Sequence, residues 1–161
     1  PDERLLLDSL EAASGELREV SHRMMPKAIS ELGAVAAIED MLQKTLSHVD
    51  IHYEFEHFGI KGRLPEKTEL ALFRISQELV NNLIKHSKAK NFHIQLFQTG
   101  RNVVFIQEDD GIGFPENLEK KGIGLMNIRS RVETLKGSVI FENNSGDGAT
   151  VTVTIPLDKN D

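Results

Sequence analysis

Three polar clusters hold the residues of this chain best suited to chemistry. In the first, Glu78, Asn82 and His86 follow at intervals of four, with Lys85 beside the last. On an α-helix such residues lie about 40° apart and share one face. A carboxylate and an amide oxygen one turn apart suit a hard cation such as magnesium, which prefers oxygen ligands and keeps waters. The lysine and histidine one turn on would meet phosphates carried by that cation. The solvated face of an ordinary amphipathic helix has the same spacing. The second cluster is Glu108-Asp109-Asp110-Gly111-Ile112-Gly113-Phe114. Asp109 emerges where a strand ends, placed to accept a hydrogen bond from an exocyclic amine such as that of adenine. Gly111 and Gly113 let the backbone approach a flat ligand with no Cβ in the way. Asp-Asp-Gly is equally an ordinary turn sequence. The third, Lys121-Gly122-Ile123-Gly124-Leu125, precedes a helix, where backbone N–H groups can cradle phosphate. It lacks the third glycine and the preceding strand of a dinucleotide fingerprint, and no Gly-Lys-Ser/Thr follows as in a Walker loop. A loop leading into an uncapped helix is its plain alternative.

Particular elements must position these clusters. Pro65 marks a helix start, and Glu66 and Glu69 suit the positive end of its dipole. That helix is predicted to run to about His86, with Leu72, Ile75, Leu79 and Leu83 as its buried stripe. Before it, Ile51, Tyr53 and Phe55 alternate with polar neighbours as in a half-buried strand. Strands are predicted over 91–98 and 102–108, joined by a turn at 99–102, and a glycine-rich stretch covers 109–124. A helix over about 125–136 stops at Gly137, a good C-terminal cap. Strands over 138–143 and 149–157 flank an Asn-Asn-Ser-Gly-Asp-Gly turn and form a hairpin. Runs of strands with helices on one face give an α+β two-layer sandwich.

The first segment differs in character. Leu6, Leu10, Ala13, Leu17, Val20 and Met24 recur with the 3.5-residue period of a bundle seam, and Pro26 should end or kink that helix. A break near Gly33 and an Ala-rich helix over 34–48 follow.

Composition narrows the function classes. A chain of 161 residues, 39% of them hydrophobic, is long enough for one core with a short appendage. Without cysteine there is no disulfide, thiolate metal site or cysteine nucleophile. A net charge of −6 argues against a surface that coats nucleic acid, though not against binding one nucleotide. No apolar run approaches the roughly 20 residues of a membrane span. Opening on Pro-Asp-Glu without a Met, the chain reads as a soluble, intracellular piece of something longer.

Taken in order, the clusters resemble the ATP-binding domain of the superfamily of histidine kinases, Hsp90-type chaperones, gyrase-type topoisomerases and mismatch-repair ATPases. The resemblance covers roughly residues 50–157. Arg74-Ile75-Ser76-Gln77-Glu78-Leu79-Val80-Asn81-Asn82, with Lys85-His86-Ser87, is similar to the N box of the nitrate-sensor-like sensor histidine kinases. So is Gly122-Ile123-Gly124-Leu125-Met126-Asn127-Ile128-Arg129-Ser130-Arg131-Val132, reached after a very short segment that would be the ATP lid. The resemblance implies the Bergerat ATP-binding fold, a mixed sheet covered by helices on one face. It implies that Asn82 coordinates magnesium, with Glu78 assisting as a ligand or through water, and that both are catalytic. Lys85 and His86 would lie near the phosphates, Asp109 would read the adenine amine, and Gly111 and Gly113 would shape the base pocket. Gly122, Gly124 and Leu125 would belong to the phosphate cradle and lid hinge. ATP and magnesium are the cofactors so implied. Two positions depart from the pattern. Asp110 stands where relatives often carry Asn, and Ala149 where many have a Thr that helps hold a water in the adenine site. Thr150, one residue late, should face the other way, which implies weaker adenine binding.

The same resemblance divides the chain into residues 1–30, a second dimerisation helix, and residues 31–161, the catalytic domain. His22 is not expected to be the phosphoacceptor, because Arg23 follows where an acid serves as general base. The acceptor would lie on a dimerisation helix missing from this chain, so the chain alone should not phosphorylate itself. A homodimer and a response-regulator receiver domain are the expected partners. The rival readings are an anti-sigma-type serine kinase of the same superfamily and a degenerate nucleotide-binding or dimerisation module.

Overall fold

The alternating segments pair into one mixed sheet, and the periodic segments cover one of its faces. The computed structural model describes residues 26–114, 123–144 and 147–158. The seam from Leu6 to Met24, His22, Lys121, Gly122 and the lid segment 115–121 lie outside the described residues.

The elements in chain order are α1 (Lys27–Leu32), α2 (Ala34–Leu46), β1 (His52–Phe58), α3 (Glu66–Asn82), β2 (Asn91–Thr99), β3 (Asn102–Asp109), α4 (Ile123–Thr134), β4 (Ser138–Asn143) and β5 (Ala149–Pro156). The strand order is β1-β2-β3-β5-β4. β1 and β2 run parallel with α3 as their crossover, and the other pairings are antiparallel. This is the mixed sheet of an α+β sandwich, as the strand and helix patterns predict.

Period-2 alternation decides which side chains face the helices. Phe92, Ile94 and Leu96 on β2, Val103 and Phe105 on β3, and Val151, Val153 and Ile155 on β5 are buried. They meet Leu72, Ile75, Leu79 and Val80 of α3, Ile38 and Leu42 of α2, and Ile128 and Val132 of α4 in one core. Ile29 of α1 is fully buried in the same core. Among the described residues no helix is long and apolar enough to cross a membrane.

Two local details differ from the sequence reading. Glu69 does more than complement the dipole of its own helix. It is 3% exposed, its Oε2 accepts the Ala34 N–H at 2.8 Å, and its Oε1 accepts Arg63 Nη2 at 2.8 Å. The same guanidinium donates to the Ile29 carbonyl at 2.7 Å, so one ion pair ties α1, α2 and α3 together. Helix α4 ends at Thr134, two residues before the expected limit. Lys136, not Gly137, takes the left-handed conformation (φ 60°), while the Gly137 N–H donates to Val132 O at 2.9 Å. Gly137 is instead required because a Cβ there would overlap the Thr154 carbonyl of β5.

Candidate functional site

The second half of α3, the end of β3 and the start of α4 meet at one end of the helix-covered face. Glu78 and Asn82 sit one turn apart on α3, both half-buried. The α-helix does not continue to His86 as its periodicity predicts. After Asn82 the chain widens into a π turn over Leu83–Ser87, which a left-handed Lys88 (φ 55°) terminates. Glu78 and Asn82 are therefore on the α-helical part of this segment, and Lys85 and His86 on the wider turn that follows it. Lys85 and His86 are both exposed.

The π turn fits the glycine-rich loop against the helix end. Ser87 Oγ donates to Leu83 O at 2.5 Å, and the Ser87 carbonyl accepts the Ile112 N–H at 2.7 Å. Gly111 lies so close that any Cβ would overlap that carbonyl. On its other side the loop is held by Asn143 at the end of β4. Its Oδ1 accepts the Phe114 N–H at 2.7 Å and its Nδ2 donates to Phe114 O at 3.0 Å. Gly113 has φ +79°, and a Cβ there would press on Asn143 Oδ1 and Gly148 O. Phe114 meets Phe141 edge-on, and the Arg129 guanidinium lies over the same Phe141 ring.

The adjacent aspartates have opposite environments. Asp110 turns toward the start of β2, where its carboxylate accepts the backbone N–H groups of Lys90 and Asn91 at 2.8 and 2.9 Å and Asn91 Nδ2 at 2.8 Å. These bonds to Asn91 and Lys90 hold its pKa below the usual carboxylate value. Asp109 is half-buried on the core-facing phase of β3, opposite Ala149 of β5. Burial raises its pKa, and hydrogen bonds from the Gly111 and Ala149 amides offset only part of that. Ala149 thus places a methyl beside the Asp109 carboxylate. Thr150 faces away, as alternation predicts, and its hydroxyl bonds Asn144.

The start of α4 closes the site. Gly124 packs directly on Glu78, and a Cβ on it would overlap the Glu78 carboxylate. Leu125 is half-buried against the core. Arg131, one face of α4 further on, is half-buried, and its pKa is lowered by burial and by Arg74 and partly restored by Glu78. Among the described residues no three His, Asp or Glu side chains converge, which leaves Glu78 and Asn82 as paired oxygen donors. Two donors fit a magnesium ion that keeps water and phosphate oxygens in its shell, not one caged by protein.

Asn143 and Ser87 were not legible as positioning residues. Asn143 carried one signal, a polar residue on the buried phase of β4 after Val139 and Phe141. For Ser87 there was none.

The family model for histidine kinase-, DNA gyrase B- and HSP90-like ATPases matches residues 67–159, from the first turn of α3 past the end of β5. The chain belongs to this ATPase family. It is 30% identical over 155 residues to the signal transduction histidine-protein kinase/phosphatase DegS of Brevibacillus brevis, covering 96% of this chain and 40% of that protein. It is 32% identical over 143 residues to the sensor histidine kinase ComP of Bacillus subtilis, covering 87% of this chain and 19% of that protein. The chain therefore spans less than half the length of these relatives. Among solved structures, the Acinetobacter baumannii histidine kinase AdeS superposes with a TM-score of 0.66 at 17% identity, over 97% of this chain and 84% of that one. The histidine kinase domain of the Erythrobacter litoralis EL346 blue-light activated kinase superposes with a TM-score of 0.60 at 21% identity, over 73% of this chain and 57% of that one. At such identities the superpositions speak for the fold. As a member of the family, the chain is an ATP-binding ATPase-type domain of the kind histidine kinases carry.

Proposed function

We propose that this chain is the catalytic part of a sensor histidine kinase, residues 31–161, preceded in residues 1–30 by its second dimerisation helix. It transfers the γ-phosphoryl group of ATP to a histidine on a partner dimerisation helix outside this chain, and a response-regulator aspartate receives it next. The reaction belongs in the cytoplasm, where ATP is found, and the working unit is a homodimer. The observation that carries this reading is the joining, at one end of the sheet, of a half-buried acceptor (Asp109), a loop of obligatory glycines (Gly111, Gly113) and a paired oxygen set (Glu78, Asn82) abutted by the glycine that opens α4.

Asp109 accepts the adenine amine, and Gly111 and Gly113 leave room for the ring. Gly124 and Leu125 offer backbone donors to the phosphates at the start of α4, where the helix dipole favours negative charge, and Gly122, from its place in the sequence motif, belongs to the same cradle. Asn82, with Glu78, is the protein's share of the magnesium shell. When bound, that ion neutralises charge on the β- and γ-phosphates, which is most of what phosphoryl transfer asks of a catalyst. Lys85 and His86, exposed on the π turn, supply positive charge and donors at the outer edge of the phosphates.

Ala149 favours a second reading, a nucleotide-binding module that has lost catalysis. One experiment separates the two: magnesium-dependent ATP binding by the chain, followed by transfer to an acceptor-helix fragment supplied separately. Binding with transfer supports the kinase. Binding without transfer to any supplied acceptor supports the degenerate module.

A further inference from the structure

Gln107 is out of keeping with its place in the fold. The core-facing residues of β3 are Val103, Phe105, Gln107 and Asp109, and Gln107 is 4% exposed. Its cross-strand neighbours are Ile94 on β2 and Val151 on β5, neither of which can hydrogen-bond through its side chain. Its Oε1 is buried and has no hydrogen-bond partner among the described residues. Two other buried polar side chains near the core are spent, Glu69 on Arg63 and Ala34, and Ser76 on the Leu72 carbonyl. An orphaned buried acceptor is costly, and an apolar side chain of similar size would avoid the cost.

The position of the orphan suggests its use. Gln107 lies two residues from Asp109 on the same face of the same strand, about 7 Å along it. On the neighbouring strand Ala149 stands opposite Asp109 and offers no hydroxyl, while Thr150 is turned away onto Asn144. Asn143, on the same phase of β4, is committed to Phe114. Of Gln107, Asn143, Ala149 and Thr150, Gln107 is therefore the side chain with hydrogen-bonding capacity unspent.

We infer that Gln107 is a specificity-determining residue of the base pocket. Its carboxamide would hold a water bridging Asp109 and the amine edge of the purine, supplying from β3 the polar anchor that Ala149 cannot supply from β5. The inference rests on the assignment of Asp109 to the adenine site. With one hydrogen of that water accepted by Asp109 and the other by Gln107 Oε1, the water can only accept from the base, which favours a base bearing an amino group over one bearing an oxo group.

The test uses the whole chain and the variants Gln107→Met, Asp109→Asn and Gln107→Met/Ala149→Thr. Calorimetry is run with the magnesium complexes of ATP, inosine triphosphate and tripolyphosphate, and thermal midpoints are measured without nucleotide. Gln107→Met is expected to weaken ATP binding about 5- to 10-fold, the loss of one buried hydrogen bond, and to leave tripolyphosphate unchanged. The ATP-to-inosine-triphosphate ratio should shrink, while the thermal midpoint stays level or rises because the orphaned acceptor is gone. Ala149→Thr should restore part of the lost ATP affinity. If methionine cannot be accommodated, Gln107→Leu makes the same test. Undiminished ATP affinity and base preference in Gln107→Met, with Asp109→Asn still impaired, would overturn the inference and leave the base-site reading intact. Undiminished affinity in both variants would overturn the base-site reading and the inference with it.

Discussion

The two ends of α3 treat their polar groups in opposite ways. Near its start, Glu69 is buried and saturated by Arg63 and the Ala34 amide, and the guanidinium spends its remaining donors on the carbonyls of α1. Near its end, Glu78 and Asn82 are half-buried and Lys85 and His86 exposed, and none of the four makes a side-chain hydrogen bond to another described residue. The contrast repeats at the end of β3. Asp110 accepts three bonds from residues 90 and 91, whereas Asp109 lies in a partly desolvated place with part of its capacity open. Groups that hold the fold together are satisfied within it. Groups left with capacity at a junction of elements are the ones available to a ligand.

The largest effect that tests this contrast comes from Asn82. Asn82→Ala should abolish magnesium-dependent ATP binding while changing unfolding free energy by no more than about 0.5 kcal/mol, as for a partly exposed site without structural partners. Titration with ATP in magnesium and in chelator, beside a urea melt, measures both. Full magnesium-dependent affinity in the variant would remove Asn82 from the site.

The converse variant at the other end of the helix is Glu69→Ala. It should cost about 2–3 kcal/mol of stability, because the Ala34 N–H loses a charged acceptor and the cross-tie between α1 and α3 is cut. ATP affinity of the folded fraction should not change. A urea midpoint unaltered by the substitution would show that the pair contributes nothing to the fold.

Asp109→Asn sharpens the comparison between neighbours. It should weaken ATP by roughly 5- to 150-fold, corresponding to about 1–3 kcal/mol, with tripolyphosphate binding unaffected. Asp110→Asn should leave ATP affinity alone. Equal loss in both variants would erase the distinction between them.

The smallest effect is in the pH dependence of stability, where the two aspartates have opposite signs. Asp110 has its folded pKa below the ordinary aspartate value of 3.8, so it contributes stability that is present above 3.8 and lost as pH falls through the folded pKa. Asp109 has its folded pKa above 3.8, so it opposes folding increasingly as pH rises from 3.8 through that raised value. Asp109→Asn should therefore be slightly more stable than the parent at neutral pH while binding ATP less well. Asp110→Asn should flatten the acid limb. Urea midpoints from pH 3 to pH 7 read both slopes, and identical profiles for the two variants would contradict the assignment.

Much of this protein was legible from short-range pattern. Alternation at Tyr53–Phe55, Phe92–Leu96, Val103–Phe105 and Val151–Ile155 identified strands and their buried phase. Apolar spacing along α3 marked its core stripe, and the glycines at 111, 113 and 124 marked places where another group of the chain comes too close for a Cβ. These features repeat every two to four residues, which is the reach of side-chain periodicity.

What the tertiary structure alone decided depends on contacts between distant residues. Nothing local told Glu69 from Glu66 or Asp110 from Asp109. Glu69 is buried because Arg63 and the Ala34 amide, 35 residues away in the chain, converge on it. Asp110 is saturated because β2 brings the amides of residues 90 and 91 to it. The π turn that follows α3 contains no proline or glycine, and its Ser87 carbonyl meets the Ile112 amide of the distant loop. Gln107 shows the same division. Its residue type and the strand phase were both readable, but only the pairing of β3 with Ile94 and Val151 makes its carbonyl oxygen a buried acceptor without a partner. Sequence pattern sets which faces are apolar through local geometry. Whether a polar group is spent or available is decided by which remote donors the packed elements carry to it.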